Sequence, residues 1–348
     1  MEKKYYLMDV VLMRLILITL LILYHALCIH TRAWEPPFDG FQQIETYDWI
    51  GMFSHTFQLE AMVFISGSLL GYKLLLQKKE TLTFDICVIK KVKRILLPSI
   101  LFSILYYIIF FDMDAPFFSI VFRIANGCGH LWFLPMIFWC FVITYLIARF
   151  VLSHSKYQYL LLTIFALLAV YNPFGSLPIG LGSVGSFLFY FYAGFLLKLG
   201  RLKLPIGSSH NIAIATSTFA VVFLVYMMTR QDLQPSDIIS KAVKILSMNI
   251  AHIVMCVTAI FAIYATANKP RVIAYLTARP QLITISGYCY GVYIYQQFIL
   301  KLLYYKTPMP TVVNEWLLPW IAFGITLVIS LLLCHLTLKT RLGRYLIG

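Results

Sequence analysis

Charged side chains are scarce in this chain. Asp, Glu, Lys and Arg make up 12% of its 348 residues, against about 25% in a soluble domain. That scarcity excludes a well-solvated globular surface. Acids are rarer than bases, with 14 Asp and Glu against 28 Lys and Arg. There is no low-complexity tract and no internal repeat, which excludes flexible linkers and solenoid arrays. Long polar stretches are missing, so residues 1–348 read as one transmembrane domain with no soluble domain attached. The seven cysteines include no C-x-x-C pair. They read as buried structural thiols, and no metal site is expected.

What is present is apolar. Hydrophobic residues make up 61% of the chain, and the mean hydropathy is +0.82. A bilayer crossing needs roughly 17–25 apolar residues. Such stretches cover 9–30, 50–76, 95–111, 130–150, 157–172, 184–200, 210–229, 244–267, 281–302 and 316–338. The expected fold class is therefore all-α: a polytopic integral membrane protein of about ten transmembrane helices. Lys3 and Lys4 precede an apolar run as in a signal peptide, but no clean cleavage site follows, so this run reads as a retained first helix. Most Lys and Arg fall in the N-terminal tail and in 77–94, 149–156, 198–203, 268–279 and 339–348. Glu35, Asp39, Glu45, Asp48, Asp112 and Asp114 fall in the alternate loops. The positive-inside rule then puts both termini in the cytoplasm. It also explains the +14 net charge without nucleic acid as a partner; the lipid bilayer is the expected surrounding.

Charged groups inside a bilayer are costly, so those present are candidates for function. Arg14 and His25 lie eleven residues apart on the first helix. Eleven steps of 100° end about 20° past three full turns, so both share one face, about 16 Å apart along the axis. This can be a path from an anion site to a buried imidazole. It can equally be a snorkelling arginine and a satisfied core histidine. Glu60, in the second helix, needs a partner, and His25 at matching depth is the expected one. A carboxylate beside an imidazole fixes its tautomer and raises its basicity. Ser66 and Gly67 either pack helices closely or admit substrate to the backbone. Lys91 and Arg94 face one side of the third helix and suit a phosphate-bearing ligand as well as they suit inner-face anchoring. The run N-G-C-G-H-L-W-F-L-P puts His130 and Trp132 at the outer mouth of the fourth span, with His55 a weaker neighbour. Residues 286–298, rich in tyrosine, read either as a polar cavity lining or as packing with internally paired hydroxyls.

In order and spacing these pieces resemble the membrane-bound acyltransferase family 3, which modifies bacterial cell-surface glycans. Arg14 and His25 fit its basic-ten-residues-histidine pattern. Glu60, Phe64, Ser66 and Gly67 fit its acidic-then-F-x-x-S-G pattern. Lys91 and Arg94 stand in its R-x-x-R pair ahead of Pro98. Two departures are visible: lysine replaces the first arginine, and Gln296 or Gln297 stands where a late histidine is usual. The resemblance implies an O-acyltransferase, most often an O-acetyltransferase, of the bacterial cytoplasmic membrane. It implies acyl-CoA, most often acetyl-CoA, as cosubstrate, with no tightly bound cofactor. The acceptor is a hydroxyl of an envelope polysaccharide or its lipid-linked precursor. Arg14, Lys91 and Arg94 would hold CoA, and His25 and Glu60 would be catalytic. Ser66, Gly67, His130 and Trp132 would line the substrate site. Rival classes are a glycan exporter or flippase without transfer activity, and a proton-coupled transporter.

Overall fold

The computed structural model describes residues 7–76, 84–111, 114–154, 156–230 and 237–348. Lys3, Lys4, Lys78, Lys79 and Asp112, used above to orient the chain, lie outside the described residues. All regular structure among the described residues is helical. The helices are α1 (Met8–Leu27), α2 (Glu45–Leu76), α3 (Phe84–Lys91), α4 (Leu97–Phe110), α5 (Phe117–Asn126), α6 (Phe133–Ser153), α7 (Tyr157–Val170) and α8 (Leu181–Lys198). There follow α9 (Ser209–Arg230), α10 (Ile238–Ala267), α11 (Pro270–Thr277), α12 (Pro280–Tyr305), α13 (Met309–Val312), α14 (Leu318–Lys339) and α15 (Arg341–Ile347). A π turn over Val92–Leu96 joins α3 to α4, and a 3-10 turn over Gly129–Trp132 leads into α6.

Among the described residues, eight helical runs are long and apolar enough to cross a bilayer: α1, α2, the α3–α4 run, α6 with its 3-10 lead, α8, α9, α10 and α14. The protein is thus an all-α, multi-pass membrane protein. The two other expected spans correspond to α7 and α12. At 14 residues α7 rises only about 21 Å, short of the roughly 30 Å hydrocarbon core. With 26 residues, α12 is long enough, but tyrosine and glutamine dilute its apolar character. The first span was expected to reach residue 30, yet α1 ends at Leu27.

Prolines sit where helices can take them. Pro270, Pro280 and Pro319 fall in first turns, where the missing N–H would have had no intrahelical acceptor; Pro98 follows the π turn directly, and the Arg94 carbonyl four residues before it accepts from the Tyr290 hydroxyl instead. Asp237 caps α10 by accepting from the Ser240 N–H at 2.8 Å.

Helix α1 is apolar over most of its surface and runs through the bundle, against α2, α10, α12 and α14; Leu17, Ile22, Ala26 and Leu27 have no exposure. Lipid tails are as apolar as leucine, so close packing rather than water exclusion must hold such helices together. The α2–α8 seam shows how. A Cβ on Gly67 would lie 1.8 Å from the Phe191 carbonyl oxygen, and one on Gly194 would lie 2.1 Å from that of Phe64. The two backbones therefore touch directly. Ion pairs tie down both ends of the bundle. Lys198 of α8 meets Asp9 of α1 at 2.5 Å, and Arg230 of α9 meets Asp48 of α2 at 2.9 Å.

Candidate active site

One face of α1 organises two cavities. Residues 14, 18, 21 and 25 follow helical spacing along a single stripe. Arg14 and Ile18 line one cavity, of about 490 Å³. Leu21 and His25 line the other, of about 370 Å³. The stripe expected from spacing is thus present, and it leads from a basic chamber to a histidine chamber.

The basic chamber gathers Arg14, Lys73, Lys91 and Arg94 from α1, α2, α3 and the π turn. Three of these were expected to converge. Lys73 was not singled out in the sequence, although it follows Ser66 by seven residues and so shares its face. Lys91 Nζ lies 3.4 Å from the centroid of the Phe141 ring, a cation–π contact. Arg94 donates to the Gly348 backbone oxygen, and its own carbonyl accepts from the Tyr290 hydroxyl at 3.1 Å. Ser66 also lines this chamber, with its hydroxyl bonded back to the Met62 carbonyl at 3.0 Å. Gly67 lines neither cavity; of its two readings, packing against α8 is the one realised.

The histidine chamber contains His25, His55, His130, Trp34, Trp132, Gln58, Gln297 and Lys301. His25 is buried, stacks on Trp34 at 5.8 Å and meets the His130 ring edge-on at 6.3 Å. Its Nδ1 has no hydrogen-bond partner among the described residues, and Gln296 lies beside the ring.

His130 is held far more tightly. Its backbone N–H donates to Gln297 Oε1 at 2.9 Å, and its carbonyl accepts from the Tyr293 hydroxyl at 2.5 Å. The ring Nδ1 lies 2.9 Å from Gln297 Oε1 and Nε2 lies 3.1 Å from the Ile294 carbonyl. Both ring nitrogens are therefore engaged by protein, which makes His130 a fixed wall rather than a free base. The turn that delivers it depends on Gly129, at φ +57°, where a Cβ would strike Gln297 and Tyr106. In the tyrosine-rich segment both earlier readings hold. Tyr288, Tyr290, Tyr293 and Tyr295 each pair their hydroxyls internally, and Tyr290 and Tyr293 also line cavities.

Two side chains, Phe133 and Tyr293, belong to both chambers. Their rings lie 5.8 Å apart. They form a two-ring septum where the basic chamber ends and the histidine chamber begins.

Glu60 departs from expectation. It lines neither chamber, and its carboxylate faces His252 of α10, with Oε1 3.6 Å from Nε2. The depth inferred for it is compatible with His25, but the azimuth is not. Glu60 is turned 100° from Leu59 and 200° from Met62, and it is Leu59 and Met62 that face the chambers. The proposed His25–Glu60 pair is therefore not formed. Glu60, His252 and Cys256 instead bring three potential metal-ligand atoms within 4.8 Å of one another. This departs from the sequence reading, which had placed Cys256 among inert thiols.

Where α2 begins and α9 ends, a polar pocket of about 630 Å³ is lined by His30, Arg32, Gln43, Glu45, Asp48 and Arg230. His30 Nδ1 accepts from the Ile44 N–H at 3.2 Å, and burial pushes the imidazole down to about 4.

A family model described as an acyltransferase domain matches residues 9–336. The chain belongs to acyltransferase family 3. No curated protein and no solved structure matches it. The match runs from the first turn of α1 into α14 of this acyltransferase, so Arg14, Lys73, Lys91, Arg94 and His25 all lie within the matched region, while Ile347 and Gly348 of the basic chamber lie beyond it.

Proposed function

We propose that this membrane acyltransferase moves a short acyl group, acetyl above all, from cytoplasmic acyl-CoA to a hydroxyl of an envelope polysaccharide or its lipid-linked precursor. The observation that carries the reading is the pair of neighbouring chambers that share Phe133 and Tyr293 in their walls, cationic on one side and histidine-lined on the other. CoA is a polyphosphate with its thioester at the end of a long two-amide arm. Its phosphates suit Arg14, Lys73, Lys91 and Arg94. The roughly 16 Å from Arg14 to His25 along α1 is a distance for the arm to bridge, with the thioester brought to the septum.

The acceptor enters the histidine chamber, where Trp34 and Trp132 offer ring faces and Gln58 and Gln297 offer amides. His25 takes the proton of the acceptor hydroxyl as its oxygen attacks the thioester carbonyl. The carbon–sulfur bond then breaks, and the CoA thiolate recovers that proton from the imidazolium. His130 and Tyr293 fix the chamber wall opposite. Glu60 acts at a distance, by holding α2 against α10, rather than on the His25 ring. The membrane is read as the bacterial cytoplasmic membrane, with the basic chamber facing the cytoplasm.

The test is mass spectrometry of surface glycans from cells carrying wild-type or His25→Ala protein at equal membrane levels. Loss of a general base costs about 10²–10⁴-fold in rate, so the variant's glycans should lose one acyl unit per modified sugar. Retained acylation in the variant would refute the assignment. Unacylated glycan trapped inside the cell would favour an export role instead.

A further inference from the structure

We propose that Glu60, His252 and Cys256 form a transition-metal site, best matched to Zn²⁺, that pins α2 to α10. The proposal does not rest on acyl transfer. His252 and Cys256 are four residues apart on α10 and so project from one face, and Glu60 comes from the facing side of α2.

The Glu60–His252 separation is that of ligands around an ion rather than of hydrogen-bonded partners, and the longer thiol contact fits an ion as well as it fits a sulfur hydrogen bond. Glu60 Oε1 lies 3.6 Å from His252 Nε2, and the same nitrogen lies 3.7 Å from Cys256 Sγ. A carboxylate–imidazole hydrogen bond would bring the atoms to about 2.7–3.2 Å. Tetrahedral zinc, with bonds of about 2.0–2.1 Å to nitrogen or oxygen and about 2.3 Å to sulfur, sets ligand-to-ligand edges of about 3.3–3.6 Å. All three atoms lie within 4.8 Å of one another.

A second observation points the same way. Glu60 is 7% exposed, and its Oε2 is buried with no hydrogen-bond partner among the described residues. A buried carboxylate left in this condition is costly, and a dication would relieve it. Thiolate, carboxylate and neutral imidazole around Zn²⁺ sum to zero charge, which a low-dielectric surrounding tolerates best. Cys256 Sγ now lies 3.1 Å from the Thr56 carbonyl, and its thiol proton would be released on binding. His252 is 37% exposed, so the site is open on that side of α10. The Tyr190 hydroxyl of α8 lies beside Cys256 and Glu60.

The probe is Co²⁺ or Zn²⁺ on detergent-purified full-length protein carrying an affinity tag without histidine. Elemental analysis should find one zinc per chain in the wild type. Cys256→Ser and His252→Ala should retain about tenfold less or lower. Cobalt loaded into the chelator-stripped wild type should show a thiolate-to-cobalt charge-transfer band, and Cys256→Ser should not. If the variants fail to fold, the wild-type cobalt spectrum decides alone. A stripped wild type that binds no cobalt, or binds it without a thiolate band, overturns the site, as does full zinc retention by both variants. None of these readouts depends on transfer activity, so failure of the acyltransferase reading and failure of the metal site are separable.

Discussion

Cutting back the septum should change which acyl groups pass. Phe133 is buried and is shared with Tyr293 between the two chambers. In Phe133→Ala the opening gains room for a longer chain. Butyryl differs from acetyl by two methylenes, and each methylene given an apolar home contributes about 0.8 kcal/mol. The gain is about 1.6 kcal/mol, or roughly 15-fold in the butyryl-to-acetyl ratio of kcat/KM. The assay compares acetyl-CoA and butyryl-CoA at matched concentrations with the purified enzyme. The substitution also carries a stability loss of about 3–5 kcal/mol, so Phe133→Leu serves as a milder version that shifts the ratio in the same direction. An unchanged ratio in a folded variant of either kind would show that the acyl chain does not cross between these rings.

Other perturbations read different parts of the molecule. Gly67→Ala should force α2 and α8 apart by about 1.5 Å, because contact cannot close below about 3.4 Å. It should lower the melting temperature through a loss of about 1–3 kcal/mol or more, while Ser66→Ala leaves it in place; equal melting points would disprove backbone contact at the seam. Lys73→Ala should raise the KM for acyl-CoA about fivefold at low salt with little change in kcat, as expected for one exposed charge contact of about 1 kcal/mol. The effect should shrink at high salt, and an effect confined to kcat would remove Lys73 from the donor chamber. His30 is held at about 4 in the folded protein against an ordinary 6.5, so the unfolded chain binds more protons between those values. Its contribution is fully present above pH 6.5 and is lost as pH falls toward 4, at most about 3 kcal/mol. Thermal unfolding of His30→Asn should show a flatter profile across that window; an identical slope would show that His30 does not set it.

Hydropathy made most of the membrane-crossing helices legible, because a bilayer demands length and apolarity from each segment independently of its neighbours. The spacing of Arg14 and His25 was legible for a similar reason: both lie on one helix, where geometry is fixed at 100° per residue. Glu60 was misread because depth follows from residue number, whereas the partner of a given azimuth depends on which helix packs there. That helix turned out to be α10, nearly two hundred residues away in sequence. The grip of Gln297 and Tyr293 on His130 was invisible for the same reason. His252 and Cys256 did leave a signal, four residues apart on a plain helix, but a search built around C-x-x-C spacing passes over it.

The glycine-lined crossing of α2 and α8 also constrains how the protein can breathe. With main chain resting on main chain, no rotamer change can loosen that joint, so the two helices should travel together as a single strut. Any enlargement needed to admit a bulky sugar or release spent CoA must then come from the opposite bank, through displacement of α6 or α12. Labels that monitor distance should accordingly report motion across the chambers and stillness along the strut.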